Sequence, residues 1–272
     1  MQEKSFQKKK SLGQNFLRST AVVRAMVKAG EVKEGDVVLE IGPGKGVLTK
    51  VLLETGAKVF AIEKDNRLIP VLEETFKNEL ASKQLTLAHD DILNTDIKKI
   101  LGSSASKYKV VANIPYYITG QLFRIFLESE NQPSVMVVLV QKEVAQRIVA
   151  HDKKESILSM SIKAYGTPKV IQKVSRKLFS PEPNVDSAVL LISNISKDFF
   201  KDISEKEFFE IVKKAFSQKR KQLGKSLKNI FGENTQQIFE VSKIETTERP
   251  EKLAIKDWEK LVLARANVIH NP

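Results

Sequence analysis

The chain has 272 residues, 42% of them hydrophobic and 29% charged, enough to bury a sizeable core and incompatible with disordered or fibrous classes. It carries 45 Lys and Arg against 33 Asp and Glu, a formal charge of +12, which points to a polyanionic partner without establishing one, since many proteins are basic for no specific reason. The absence of cysteine excludes disulfides, thiol nucleophiles and Cys-ligated zinc, and the three histidines, His89, His151 and His270, lie far apart in sequence, so no metal is expected.

In chain order, Met1–Lys10 is a polar tail with four lysines and none of the apolar stretch of a signal peptide. Asp36–Ile41, Val59–Glu63, Leu85–Ala88, Lys109–Asn113 and Ser134–Val140 are short, apolar and rich in β-branched residues, and read as strands. Between them Val47–Glu54, Asn66–Lys77 and Gln121–Glu128 space their apolar residues as crossover helices do, with Gly56 where a C-cap glycine is expected. That alternation predicts an α/β fold with a parallel sheet and right-handed crossovers. The longest apolar run, Val135–Val140, is far short of the ~20 residues of a membrane helix, so no membrane contact and a cytoplasmic location, or another reducing space in a eukaryote, are expected.

Past residue 150, Ile157–Tyr165 reads as a helix. Val170–Val174 and Ala188–Ile192 read as two late strands that complete the sheet edge, separated by the proline-bearing segment Phe179-Ser-Pro-Glu-Pro. From about Lys197 no strand is evident, while Phe208, Phe209, Ile211, Val212, Ala215 and Phe216 recur at helical spacing. The expected division is therefore 1–196 for the sheet domain and 197–272 for a small helical domain.

Glu40-Ile-Gly-Pro-Gly-Lys-Gly-Val-Leu-Thr49 follows the first strand and opens a helix, so Gly42, Gly44 and Gly46 sit where a cofactor approaches the backbone closely. The spacing is not that of the dinucleotide fingerprint, and Lys45 is not part of a phosphate loop. Glu63 ends the second strand 21 positions after Gly42, the separation expected of a carboxylate holding ribose hydroxyls, and Asp90-Asp91 after the third strand can accept from an exocyclic adenine amine. Each acid taken singly reads better as a solvated or helix-capping carboxylate. Together with the glycines they suit S-adenosylmethionine better than a nicotinamide cofactor, which shares the first two features.

Asn113-Ile-Pro-Tyr116 closes the fourth strand, at the sheet edge where such folds bind ligands. The amide oxygen of Asn113 and the carbonyl of Ile114 offer two acceptors for the two hydrogens of an aromatic amine, Pro115 fixes the turn and Tyr116 presents a stacking face. Such an amine is a poor nucleophile until hydrogen bonds draw its nitrogen out of conjugation with the ring. Asn113 acts by electrostatics and orientation and is no strong base, so the proton leaves after methyl transfer. The competing reading is an ordinary strand-to-helix turn.

These motifs, with Lys10-Ser-Leu-Gly-Gln-Asn-Phe-Leu17, Phe179-Ser-Pro-Glu-Pro-Asn-Val-Asp-Ser187 and Ala215-Phe-Ser-Gln-Lys-Arg-Lys221, resemble the rRNA adenine N6-dimethyltransferases, most closely the small-subunit KsgA type. The resemblance implies a Rossmann-like methyltransferase sheet with a helical C-terminal domain, and S-adenosylmethionine contacted by Asn15, Leu17, Gly42, Glu63, Asp91 and Asn113. It further implies an adenosine flipped into a pocket bounded by Asn113, Ile114, Tyr116 and Phe179, and transfer of four methyls in total to two adjacent adenosines near the 3′ end of 16S rRNA, within the 30S subunit or its precursor, by a monomer. Without the resemblance, Phe179 reads as a loop phenylalanine packed on the core and Phe16 as a hydrophobic anchor. Where the family commonly runs from Tyr into Ser/Thr-Ser/Thr-Pro, this chain has Thr119-Gly-Gln121, a departure that bears on the shape of the following loop. The resemblance leaves as rivals a 23S rRNA dimethyltransferase of the macrolide-resistance type and a non-catalytic RNA-binding assembly factor.

Lys213, Lys214, Lys219, Arg220, Lys221, Lys225 and Lys228 form a run without an acid. As one helix it would project Lys214, Lys221, Lys225 and Lys228 from a single face toward RNA phosphates, with Lys219 and Arg220 beside them; a solvated face is the bland alternative.

Overall fold

The computed structural model describes residues 14–102, 107–218 and 221–270. The tail Met1–Lys10 and the predicted RNA contacts Lys219 and Arg220 lie outside the described residues. The fold divides into two compact units, residues 1–145 with 169–193, and residues 146–168 with 194–272.

The first unit contains, in order, β1 (Phe16–Leu17), α1 (Thr20–Ala29), β2 (Val37–Ile41), α2 (Val47–Glu54), β3 (Lys58–Glu63), α3 (Ile69–Thr75), α4 (Lys77–Ala81), β4 (Leu85–His89), α5 (Ile97–Leu101), β5 (Lys109–Asn113), α6 (Thr119–Leu127) and β6 (Val135–Gln141). After α7 (Lys142–Ile148) and α8 (Ile157–Lys163) it resumes with β7 (Thr167–Val174), β8 (Phe179–Ser180) and β9 (Ser187–Ser193). Seven strands form one sheet in the order β4-β3-β2-β5-β6-β9-β7. The pairs from β4 to β6 are parallel, whereas β9 runs antiparallel to β6. The fold is thus the Rossmann-like α/β class that the alternating elements predict, with the late strands at one edge.

The central strands follow from burial on both faces. Val110, Val111 and Ala112 of β5 and Met136 to Val140 of β6 have no accessible surface, so continuous apolar runs replace the alternation of a half-exposed strand. Strand order reverses between β2 and β5, and the crevice at the carboxyl ends of those two strands is where open α/β sheets hold ligands. The turn after β2 is built for close approach. At Gly46 φ is +79° and an added Cβ would fall 2.5 Å from the Phe76 ring, so only glycine lets α2 start against that side chain.

Residues 146–168 and 194–196 fall in the second unit and not with the sheet as expected, and individual elements differ as well. The segment Asn66–Lys77 is not one helix: Leu68 donates to the Asp65 carbonyl in a turn, Pro70 sits in the first turn of α3, and the chain breaks at Phe76 before α4. The helix α1, capped by Ser19 and burying Val22, Val23, Met26 and Val27, was not expected.

In the second unit α8 is opened by a reciprocal cap between Ser156 and Ser159. It is followed by α9 (Glu205–Ser217), α10 (Leu223–Phe231), α11 (Thr235–Ser242) and α12 (Ile255–His270). Phe208, Ile211, Val212, Ala215 and Phe216 of α9 are buried as their spacing requires, and Phe216 meets the buried Trp258 ring at 5.8 Å. The single basic helix face is overturned. Gln218 leaves helical geometry at φ −126°, ψ 50°, so Lys214 belongs to α9, Lys221 to the connection, and only Lys225 and Lys228 share α10.

Candidate active site

A cavity of about 580 Å³ opens at the carboxyl ends of β2, β3 and β5. Its walls include Gly42 and Gly44 from the turn after β2, Glu63 at the end of β3, Asp91 after β4 and Asn113 to Tyr116 after β5. Asn15 and Leu17 reach it from the N-terminal side and Phe179 from β8, so every predicted cofactor and base-pocket residue lines one space.

The N-terminal residues arrive by a two-residue antiparallel ribbon. Phe16 pairs with Ser180 and Leu17 with Phe179, and the Arg18 N–H donates to the Leu178 carbonyl at 2.9 Å. The Phe16 ring lies 3.1 Å from where a Cβ on Gly44 would sit, so a side chain there would push the ribbon off the glycine turn. Both rings pack on the core as the plainer reading expects, Phe179 buried in β8 and Phe16 against the same cluster, and both also line the cavity.

Glu63 is buried with both oxygens engaged. Oε2 accepts from the Gly44 N–H at 3.0 Å and Oε1 from the Asp65 N–H at 2.8 Å. Burial raises its pKa and the Asp65 charge adds to that, while the two N–H groups oppose the shift. This places an acceptor-rich carboxylate against the glycine turn. Asp91 differs from the sequence picture in one respect, because Oδ2 is already 2.7 Å from the Lys64 ammonium and Oδ1 accepts from the Leu93 N–H. Burial would raise its pKa, but Lys64 and the Leu93 N–H outweigh it and hold the group below the usual range. Nothing in the sequence marked Lys64 as its partner.

Asn113 donates through Nδ2 to the Asn15 carbonyl at 3.5 Å, an orientation that leaves Oδ1 to accept. Ile114 is the first residue beyond the β5–β6 ladder, which ends at Asn113 and Leu139, so its carbonyl is not committed to the sheet. Pro115 holds the turn at φ −58°. Tyr116 is half-buried, and its hydroxyl shares a 2.7 Å hydrogen bond with Ser187 Oγ. Burial pushes the phenol pKa up, the Ser187 hydrogen bond opposes this and the Asp186 charge adds to it, so the side chain is neutral at physiological pH. Ser187 closes the Phe179–Ser187 motif, and its place on β9 beside β6 brings it to the Tyr116 hydroxyl. Within the Thr119-Gly-Gln121 departure at the start of α6, Thr119 is buried and its hydroxyl donates to the Tyr116 carbonyl at 2.9 Å, whereas Gln121 is exposed and an added Cβ on Gly120 would meet nothing within 4 Å.

Among the described residues no cluster of side chains could hold a metal ion. The predicted RNA contacts Lys221, Lys225 and Lys228 are exposed and Lys214 partly so, all in the second unit.

Residues 5–266 match the family model described as ribosomal RNA adenine dimethylase. The protein called ribosomal RNA small subunit methyltransferase A from Dehalococcoides mccartyi is 40% identical over 261 residues, 95% of this chain and 88% of that protein. The protein of the same name from Clostridium botulinum is 38% identical over 260 residues, 94% of this chain and 93% of its own. Among solved structures, a dimethyladenosine transferase from Plasmodium falciparum superposes with a TM-score of 0.76 at 25% identity, covering 91% of this chain and 96% of that one. The 23S rRNA methyltransferase ErmE also gives 0.76, at 21% identity over 93% of this chain and all of its own, a likeness of fold alone.

Proposed function

Because the chain belongs to the ribosomal RNA adenine dimethylase family, we propose that it methylates the N6 of two adjacent adenosines near the 3′ end of 16S rRNA, drawing the methyl groups from S-adenosylmethionine. It is an rRNA (adenine-N6,N6)-dimethyltransferase, and its relatives' common name points to the small subunit and not to 23S rRNA. The observation that carries the reading is the meeting of the Asn113–Tyr116 loop, the glycine turn and buried Glu63 in one cavity. The intact loop and cofactor residues also argue against a factor that only binds RNA.

The residues fit the cofactor. Glu63 offers a buried carboxylate for ribose hydroxyls, Gly42 and Gly44 present backbone where side chains would obstruct, and Asp91 supplies an acceptor for the adenine amine. When bound, S-adenosylmethionine supplies an electrophilic methyl on a sulfonium. Asn113 Oδ1 and the Ile114 carbonyl each accept one hydrogen of the target amine, drawing its lone pair out of the purine ring and aiming it. Tyr116 and Phe179 offer aromatic faces to an extruded base, and Pro115 holds both acceptors in place. With no strong base in the loop, the proton leaves once methylation has made the nitrogen cationic and acidic.

Lys214, Lys219, Arg220, Lys221, Lys225 and Lys228 of the helical domain supply phosphate contacts that set affinity and position, while sequence choice rests with the base pocket. The enzyme acts as a monomer on the 30S subunit or its precursor, and therefore in the cytoplasm. Among the described residues no helix is long and apolar enough to cross a membrane.

The test is tritiated-methyl transfer to under-methylated 30S particles with 50S particles as control. Label confined to 16S rRNA is the expected result. Label on 23S rRNA, or none on either, overturns the proposal.

A further inference from the structure

The ribbon of Phe16–Leu17 and Phe179–Ser180 is only two residues long on each side, too short to hold itself across a cavity. Its N-terminal end is tied elsewhere. Gln14 Nε2 donates to Asp65 Oδ2 at 3.1 Å, and the Asp65 side chain is 1% exposed. Arg67 holds that carboxylate as a fork: Nε donates to Oδ1 at 2.8 Å, Nη2 to Oδ2 at 2.5 Å, and the Arg67 N–H to Oδ1 at 3.2 Å. The Asp65 N–H in turn donates to Glu63 Oε1. Neither Asp65 nor Arg67 lines the cavity.

We propose that Asp65 and Arg67 are a positioning pair that pins the Gln14–Arg18 segment over the cofactor site. The bidentate fork keeps a nearly inaccessible carboxylate charged and correctly turned, so that it can accept from Gln14. From Gln14 the segment carries the Asn15 carbonyl to Asn113, the Phe16 ring to Gly44 and Leu17 to its partner Phe179. Loss of the fork therefore loosens the covering segment first. The glycine turn and the Asn113 loop stay, because β2 and β5 hold them. The inference rests on S-adenosylmethionine occupying this cavity.

The experiment uses the full chain, with Arg67→Ala and Arg67→Lys. Methyl transfer to 30S particles is measured while S-adenosylmethionine is varied, beside calorimetric binding of S-adenosylhomocysteine and amide exchange at Arg18. The expected result for Arg67→Ala is a KM for the cofactor raised about tenfold or more, kcat within about threefold, and faster exchange at Arg18. Arg67→Lys, a single charge without the fork, falls between it and wild type, and remains informative if the alanine variant does not fold. A wild-type KM in both variants, or a fall in kcat at unchanged KM, overturns the pair's role. Wild-type protein that binds neither compound overturns the functional reading itself, and the pair's role with it.

Discussion

Tyr116 and Ser187 meet through their side-chain oxygens at 2.7 Å, which joins the loop after β5 to the first residue of β9. The bond fixes where the ring lies without consuming its face. Tyr116→Phe and Ser187→Ala each remove one ordinary hydrogen bond, about 1 kcal/mol, and are expected to lower methyl transfer by roughly tenfold or less. Tyr116→Ala removes the stacking face and is expected to cost about 10²-fold or more. Single-turnover methylation of 30S particles separates the two. A phenylalanine variant as damaged as the alanine one would assign the work to the hydroxyl.

Asn113→Ala deletes one of the two amine acceptors and is expected to cut methyl transfer by about 10²-fold or more, the scale of losing one preorganised polar group at a reacting centre. Cofactor binding weakens less, since Gly44 and Glu63 remain tied together. Turnover in the alanine variant, compared with its affinity for S-adenosylhomocysteine, is the measurement. Unchanged turnover would remove Asn113 from the chemistry.

The central strands, the glycine turn, Glu63 and the Asn113 loop were legible because each is a local pattern: buried strands are continuously apolar, and ligand turns follow them at fixed offsets. What escaped is mostly long-range. The Leu17–Phe179 pairing joins single residues far apart in the chain, with no periodicity to announce it. Lys64 finds Asp91 only because β3 and β4 lie side by side, and Ser187 finds Tyr116 only because β9 is inserted against β6. The valines of α1 hide a helix, since β-branched residues argue locally for strand and tertiary burial decides otherwise. The basic run from Lys213 to Lys228 shares one face only as a single helix, and the chain leaves helical geometry at Gln218.

Lys225 and Lys228 are exposed and three residues apart on α10. If both contact phosphates, the double variant Lys225→Glu/Lys228→Glu releases fewer counterions on binding. Its plot of log affinity for 30S particles against log salt is expected to flatten by roughly 1.5. Filter binding across a salt series measures this, and an unaltered slope would take both lysines out of the RNA footprint.

Glu40 lies in β2 beside Ala61 and Val111, fully buried, and neither side-chain oxygen has a hydrogen-bond partner among the described residues. Burial pushes its pKa up to about 8; the Thr49 hydroxyl and N–H, which fall short of hydrogen-bond geometry, weakly oppose the shift, and the Glu63 charge adds to it. In the unfolded chain the group ionises near its ordinary 4.5. Between those values the native state holds a proton that the unfolded state has released, so stability is full below the lower value and falls as pH rises through the window. Wild-type protein is thus expected to lose a few kcal/mol between pH 5 and pH 9 from this group. Glu40→Gln, neutral and of the same shape, lacks that component. Urea unfolding at both pH values tests it: the glutamine variant gains on wild type as pH rises. Two curves that fall in parallel would mean that Glu40 is charged in the native protein and compensated by a partner.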